Sequence, residues 1–264
     1  MNSLPSHTEE LALLKRAAAD AGRIAMRYFQ NDPVVSWKEG MSPVSEADIA
    51  ANDHLLETLM SARPDYGWLS EETTDNASRL SKRRTFVVDP IDGTKAFIAG
   101  RDLWCVSVAL VENGKTIAGV LDCPARNEVF EAARGHGSFL NGQRLAIATS
   151  NAPLRIAGAK TWLRLLADAV GVEPEQIGHI PSLAYRIAAI ADNRLDGTFI
   201  KPDCHDWDIA AAELILSEAG GLMRDYSGKP LVFAEETIKR GLLVAGSAKL
   251  MPAMLSVVAA PAFG

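Results

Sequence analysis

Apolar residues Leu11, Leu14, Ala18, Ala21 and Ala25 recur at helical spacing and predict an amphipathic helix from Leu11 to Phe29. Glu9 and Glu10 suit its first turn, whereas Thr8, with Leu11 three residues on, lacks the partner of a capping box. Asn31-Asp32-Pro33 stops the helix. A short strand is expected from Val34 to Lys38 and a loop over Glu39-Gly40-Met41-Ser42-Pro43. A second helix follows from Ala47 to Met60, with Ser45 as its N-cap. Asp48 stands three residues after Ser45, so its local role is to reach back to a free backbone N–H. Tyr66 to Ser70 reads as a strand running into Glu71-Glu72, and Thr73 to Arg84 as a polar loop. Val87-Val88 reads as the end of a buried strand.

A short helix is expected from Lys95 to Arg101, ending at Gly100. Cys105 to Val111 and Lys115 to Asp122 read as strands joined by Glu112-Asn113-Gly114, where Asn-Gly favours a hairpin turn. Glu128 to Ala133 is another strand, and Gly135, Gly137 and Asn141-Gly142 punctuate a turn-rich edge. The run from Trp68 to Leu140 predicts one large, mostly antiparallel sheet packed by the two N-terminal helices. Thr149-Ser150-Asn151-Ala152-Pro153 reads as a linker, dividing the chain into an N-terminal α+β half, 1–148, and a C-terminal half, 149–264. Beyond it, strands at 154–159, 177–180 and 197–200 alternate with helices at 161–170, 182–192 and 207–219. Such alternation argues for an α/β half with a more parallel sheet. Gly220-Gly221 stops the last of these helices, strands at 222–225 and 242–245 close the sheet, and a final helix covers 247–259.

Composition narrows the class. The chain has 264 residues, 48% hydrophobic and 23% charged, which suits a soluble globular protein with a sizeable core. A net charge of −6 argues against a nucleic-acid-binding surface. Cys105, Cys123 and Cys204 are widely spaced, with no CxxC or Cys/His cluster, so neither a disulfide framework nor a zinc site is indicated. They read as buried structural thiols in a reducing compartment. With a polar, acidic start and no apolar run near the ~20 residues that span a bilayer, the expectation is a cytoplasmic protein with no membrane partner.

The candidate chemistry lies in acids placed where regular elements meet loops. In Val87-Val88-Asp89-Pro90-Ile91-Asp92-Gly93-Thr94, Pro90 and Gly93 favour a tight turn that holds two carboxylates three residues apart. Like charges that close raise each other's pKa unless neutralised, and a divalent cation is the usual remedy. An ordinary surface turn uses the same residue types, so both readings stand on this stretch alone. Glu71-Glu72 repeats the pattern, as does Asp203-Cys204-His205-Asp206-Trp207-Asp208 before an apolar helix. Asp206 or Asp208 suits an N-cap there, and either can serve a metal as well. His205, a lone histidine, fits packing better than ligation. Together Glu71, Asp89, Asp92 and Asp208 form an all-oxygen set suited to Mg²⁺, Mn²⁺ or Ca²⁺ rather than zinc or copper. No EF-hand loop, P-loop or GxGxxG is present, so a nucleoside triphosphate or dinucleotide is not indicated.

These residues carry a resemblance. Asp89-Pro90-Ile91-Asp92-Gly93-Thr94, with Trp68-Leu69-Ser70-Glu71-Glu72 before it and Trp207-Asp208-Ile209-Ala210-Ala211 and Glu218-Ala219-Gly220-Gly221 after it, resembles the inositol monophosphatase family. The similarity runs from Lys38 and Ser42-Pro43-Val44-Ser45 through Gly135-His136-Gly137-Ser138-Phe139-Leu140-Asn141-Gly142 to the last helix. It implies a layered αβαβα sandwich, a Mg²⁺-dependent, lithium-inhibited phosphomonoesterase and a homodimer. Two or three Mg²⁺ ions are implied, with Mn²⁺ as a substitute. By the same resemblance, Glu71, Asp89 and the carbonyl of Ile91 hold a first ion, and Asp89, Asp92 and Asp208 a second. Asp48 pairs with the Thr94 hydroxyl and, with Glu71, orients the attacking water, which overrides its purely local role as a cap. The Gly93 and Thr94 amides hold phosphate oxygens. The implied reaction is in-line hydrolysis with no covalent intermediate, on a small phosphorylated metabolite, with inositol 1-phosphate as the leading substrate.

The chain also departs from the inositol-specific pattern. Seven residues before Asp208, where such relatives carry an acid, stands Lys201. A lysine there can pair with a second phosphate or a carboxylate, or simply face solvent. Ser182-Leu183-Ala184 stands where small residues line the substrate, and Lys95 to Gly100 is similar to 3'(2'),5'-bisphosphate nucleotidases and histidinol-phosphate phosphatases. A haloacid-dehalogenase-type phosphatase fits less well, because its Asp-x-Asp-Gly-Thr places the acids two apart. A non-catalytic regulatory protein on the same scaffold is the reading from another class.

Overall fold

The computed structural model describes residues 4–38, 43–148 and 153–259. The expected loop Glu39–Ser42 and the linker residues Thr149–Ala152 lie outside the described residues. Helix α1 (His7–Met26) begins one turn earlier than its apolar stripe. Its start is a capping box, but one residue pair away from Thr8: the Ser6 N–H donates to Glu9 Oε2 at 2.7 Å, and the Glu9 N–H donates to Ser6 Oγ at 3.3 Å. The helix ends at Met26 rather than Phe29, and Phe29 packs instead against Phe97 and Trp104. A small ribbon of β1 (Val35–Trp37) and β2 (Pro43–Ser45) leads into α2 (Glu46–Ala62).

The larger sheet contains β3 (Gly67–Ser70), β4 (Arg84–Asp92), β5 (Cys105–Glu112), β6 (Lys115–Cys123), β7 (Glu128–Ala133), β8 (Gly137–Leu140) and β9 (Gln143–Arg144), in that spatial order. Only β3 and β4 run parallel; the other pairs are antiparallel. The Asn113-Gly114 turn joining β5 to β6 has φ of 49° and 77°, the positive pair such a hairpin requires. Strand β4 is buried along its whole length, because both faces are covered and no side of it can be polar. Phe86 and Val88 face α1 and α2, while Val87 faces the other way. The polar stretch before β4 contains a 3₁₀ turn, Ser78–Ser81, anchored by buried Arg79.

The smaller sheet contains β10 (Arg155–Ala157), β11 (Glu175–Gln176), β12 (Gly197–Ile200), β13 (Gly221–Asp225) and β14 (Leu243–Ser247), ordered β11-β10-β12-β14-β13. It is mixed rather than mainly parallel: β10 pairs parallel with β11 and β12, but β14 pairs antiparallel with β12 and β13. The strand expected at 177–180 is instead the two residues of β11, and that at 154–159 shrinks to β10. Helices α5 (Leu183–Ala191) and α6 (Asp206–Glu218) lie between the sheets, and α4 (Lys160–Val170) and α7 (Met251–Val258) cover the far face. With the short α3 (Thr94–Ile98) at the end of β4, the layers are αβαβα. Among the described residues, no helix is long and apolar enough to cross a membrane.

Three apolar clusters fill the interfaces, and the middle one includes residues of both sheets together with α5 and α6. Helix α6 approaches β6 closely at Gly119, where an added Cβ would stand 3.0 Å from the Ala211 Cα and 3.1 Å from its carbonyl oxygen. Backbone cannot yield as a flexible side chain can, so Gly119→Ala is expected to destabilise by about 1–3 kcal/mol through overpacking. Urea unfolding checks this; an unchanged midpoint would mean that α6 is free to move away.

Candidate metal centre

The acids meet because neighbouring strands deliver them to one end of the larger sheet. Glu71 follows β3, and its N–H donates to the Val88 carbonyl at 3.2 Å, which places it beside the next residue of β4, Asp89. On a regular strand Asp89 and Asp92, three residues apart, would face opposite sides of the sheet. The ladder prevents this. Asp89 pairs with Ser107 and Asp92 with Cys105, so three steps on β4 match two on β5. The extra residue is a bulge at Pro90-Ile91, and it turns both acids to the face covered by α5 and α6. Pro90 suits the bulge because it has no N–H to leave unpaired. The strand therefore runs through the acids to Asp92, and does not end at Val88 as the sequence pattern suggested. Gly93, at φ 99°, then starts α3; a Cβ there would come within 3.2 Å of Ser182 Cβ.

Helix N-termini hold the remaining acids. Asp208 occupies the first turn of α6, where its Oδ2 accepts the His205 N–H at 2.6 Å. Asp48 does the same on α2: Oδ2 accepts the Ser45 N–H at 2.8 Å and the Ser45 hydroxyl at 2.6 Å. Its other oxygen, Oδ1, lies 3.2 Å from the Thr94 hydroxyl, which is also 3.0 Å from the Ile91 carbonyl. The cap and the pairing with Thr94 are thus one arrangement, using one oxygen each. Asp92 accepts from the Ser182 hydroxyl and the Ala184 N–H, both at 2.6 Å, and from the Leu183 N–H at 3.3 Å, at the start of α5.

Oxygen atoms of Glu71, Asp89 and Asp208 all lie within 4.8 Å of one another. Burial pushes the Asp89 carboxyl well above the usual carboxylate range, and the charges of Glu71, Asp92 and Asp208 push it further. Asp208 is raised by burial, then by Asp92 and Glu71, against the lowering effect of the His205 N–H. Asp92 is pushed up to about 6, chiefly by burial, although Ser182, Ala184 and Leu183 favour its charged form. Burial likewise raises Asp48. Hard oxygen donors, mutually repelling and short of positive charge, fit a divalent cation of the Mg²⁺ type. A cation the chain itself brings to the rim is Lys38, whose Nζ lies 3.2 Å from Glu71 Oε1 and 2.6 Å from Glu72 Oε1. Burial works against its charge, but Glu71 and Glu72 leave its pKa raised. The resemblance includes Lys38, but its own segment gives it no role, because its partners Glu71 and Glu72 follow a distant strand, β3.

The residues expected to meet substrate divide into two groups. Ser182 and Ala184 are fully buried and hold Asp92, while Leu183 and exposed Lys201 line a neighbouring cleft. Asp206 is buried against Arg240 and the Ala234 N–H, so it anchors α6 and stands apart from the acid cluster. His205 stacks on Trp207 at 4.6 Å, a packing role. Cys105 and Cys123 are buried, and burial pushes the Cys204 thiol up to about 12, so none is poised as a thiolate.

The fold and the acid cluster define a layered α/β protein with a carboxylate site suited to a hard cation. The inositol monophosphatase family model matches residues 7–259, and the chain belongs to that family. Similar proteins include an inositol-1-monophosphatase of Mesorhizobium japonicum, 34% identical over 95% of this chain and 96% of the relative. Another, named Nus factor SuhB, from Xylella fastidiosa, is 31% identical over 96% of this chain and 95% of its own length. Among solved structures, the extragenic suppressor protein suhB of Bartonella henselae superposes with a TM-score of 0.83 at 28% identity, covering 96% of this chain and 99% of that one. The IMPase of Thermotoga maritima gives 0.81 at 27% identity, covering 95% and 96%.

The raised carboxyls predict a pH effect on the metal-free protein. A carboxyl whose pKa is higher folded than unfolded binds more protons when folded, so its stabilising contribution is present below the ordinary carboxylate range and is lost as pH rises. For Asp92 the loss runs from the ordinary value of 3.8 through about 6, with Asp89 and Asp208 extending it upward. The difference in Tm with and without Mg²⁺ is therefore expected to widen between pH 5 and pH 7.5. A difference that stays flat across that range would mean the three acids are not jointly desolvated.

Proposed function

We propose that this protein is a Mg²⁺-dependent phosphomonoesterase of small phosphorylated metabolites, inositol 1-phosphate being the substrate supported by the relatives' names. The convergence of Glu71, Asp89 and Asp208 next to the Asp48–Thr94 pair carries this reading. Glu71, Asp89, Asp92 and Asp208, with the Ile91 carbonyl, would hold the metal. When bound, such an ion offsets charge on a phosphoryl group and makes water more acidic. The protein's own groups do the rest. The Thr94 hydroxyl, by donating to Asp48, turns its lone pairs toward a water proton, so that a proton can pass from water to Thr94 and from Thr94 to Asp48. Burial raises the proton affinity of Asp48, which suits it to accept. The Gly93 and Thr94 amides open the first turn of α3, where N–H groups lack helical acceptors, and would hold phosphoryl oxygens. Lithium inhibition and a homodimeric assembly belong to the same proposal by family resemblance.

A second reading is a binding or regulatory protein, favoured by the name Nus factor SuhB carried by relatives of similar identity. The full acid set and the intact Asp48–Thr94 pair argue for hydrolysis, since binding alone needs no proton acceptor. Phosphate release from inositol 1-phosphate, histidinol phosphate, adenosine 3',5'-bisphosphate and fructose 1,6-bisphosphate, with and without Mg²⁺, decides between them. Thr94→Ala is expected to lower kcat by about 10²–10⁴-fold with KM little changed, as for loss of a general-base relay. Silence of the wild-type protein across the panel would hand the site to the binding reading.

A further inference from the structure

A cleft of about 970 Å³ opens beside the acid cluster, between the start of α5 and the smaller sheet. Its charged lining is Lys95, Arg186, Lys201 and Asp203. Asp203 is the acid among them, and it already pairs with Lys239 at 2.9 Å. A neutral polyol is normally gripped by carboxylates that accept from its hydroxyls, and this lining leaves none unpaired for that purpose.

Arg186 stands out within it. The residue lies one turn into α5, its N–H donating to the Ser182 carbonyl at 3.1 Å. Ser182 is the residue whose hydroxyl holds Asp92. One helical turn thus joins the acid cluster to the cleft. Arg186 Nε is sealed from solvent and has no hydrogen-bond partner among the described residues. Among the described residues no carboxylate lies within ion-pair distance of the guanidinium either: Asp92 and Cys204 act on it only through space. A guanidinium remains charged in proteins and offers five donors, so one left unanswered in a half-buried place is costly unless a ligand answers it.

We propose that Arg186 binds a second anionic group, a carboxylate or a further phosphate, on the alcohol side of the phosphoester. The cleft thereby favours anionic leaving groups over uncharged ones such as inositol. This rests on the phosphomonoesterase reading and changes the order of substrates within it. Lys95 and Lys201 on the walls add positive charge, and among the described residues neither is paired with an acid, which assists capture of such a substrate.

Two matched pairs test it. 2-Phosphoglycerate and glycerol 2-phosphate differ by a carboxylate in place of a hydroxymethyl group; adenosine 3',5'-bisphosphate and adenosine 3'-monophosphate differ by one phosphate. With Mg²⁺, the anionic member of at least one pair is expected to show a KM lower by roughly tenfold to a hundredfold, the worth of charge-assisted hydrogen bonds. Arg186→Gln should erase that difference by raising KM for the anionic member of the pair and not for the uncharged one, and Arg186→Lys should restore part of it. The Gln variant removes an unpaired charge, so its Tm should not fall. Equal KM values within both pairs for the wild-type protein would overturn the subsite while leaving the phosphatase reading intact. A loss of Mg²⁺ affinity in Arg186→Gln with the substrate difference preserved would also overturn it, assigning Arg186 to balancing Asp92. Calorimetric binding of the two adenosine phosphates with Ca²⁺ in place of Mg²⁺ needs no turnover. Should no phosphate be released at all, the phosphatase reading fails, and a difference in those affinities still decides the subsite.

Discussion

Repulsion among buried carboxylates is the constraint around which this molecule is built. Glu71, Asp89 and Asp208 converge, with Asp92 close enough to raise two of them. Burial and like charge both act against the ionised forms of Asp89, Asp92 and Asp208. The scaffold answers with fixed donors: the His205 N–H on Asp208, the Ser182 hydroxyl and two amides on Asp92, and the Ile91 N–H on Asp89 at 3.0 Å. These donors orient the oxygens but carry only partial charges, and Lys38 touches only the rim of the cluster through Glu71 and Glu72. The remaining negative charge is what a divalent cation matches.

Holding such a site requires a rigid frame, and the layered packing provides one. Glu71 and Asp89 come from adjacent parallel strands of the large sheet, whereas Asp92 reaches the starting turn of α5 and Asp208 rides on α6. Both helices sit between the sheets in a shared apolar cluster. Displacing either helix by a side-chain width would separate the acids, which is why the close contact at Gly119 bears on chemistry as well as stability. The aromatic group of Phe29, Phe97 and Trp104, with Ile91 and Ala47, supports the bulged segment from beneath.

In the proposed phosphatase, reaction and selectivity would occupy different places. The groups suited to phosphoryl transfer are buried or half-buried and drawn largely from the ends of β3 and β4 and the helix starts. The cleft beside them is open, lined by Lys95 and otherwise from the second half of the chain, and positively charged. Ser182 to Arg186 connects the two, with Ser182 and Ala184 turned inward to Asp92 and Leu183 and Arg186 turned to the cleft.

Much of this was legible in the residues alone. Apolar runs at 86–88 and 105–111 and the Asn113-Gly114 turn predicted the large sheet, because covered strands and hairpin turns have local signatures. The ordered acids Glu71, Asp89, Asp92 and Asp208 marked the candidate site, because those residue types in that order resemble one family. What the tertiary structure decided lies in contacts between distant segments. On a regular strand Asp89 and Asp92 would lie on opposite faces, and only the pairing with β5 reveals the bulge that unites them. Ser182 and Ala184 looked like substrate residues until their bonds to Asp92, some ninety positions away, turned them inward. The roles of Lys38 and Arg186 come from what surrounds them: two paired acids in one case and, among the described residues, no hydrogen-bond partner for the Arg186 Nε in the other. Local sequence determines periodicity and donor type; which charges meet, and which remain unanswered, is settled by packing in three dimensions.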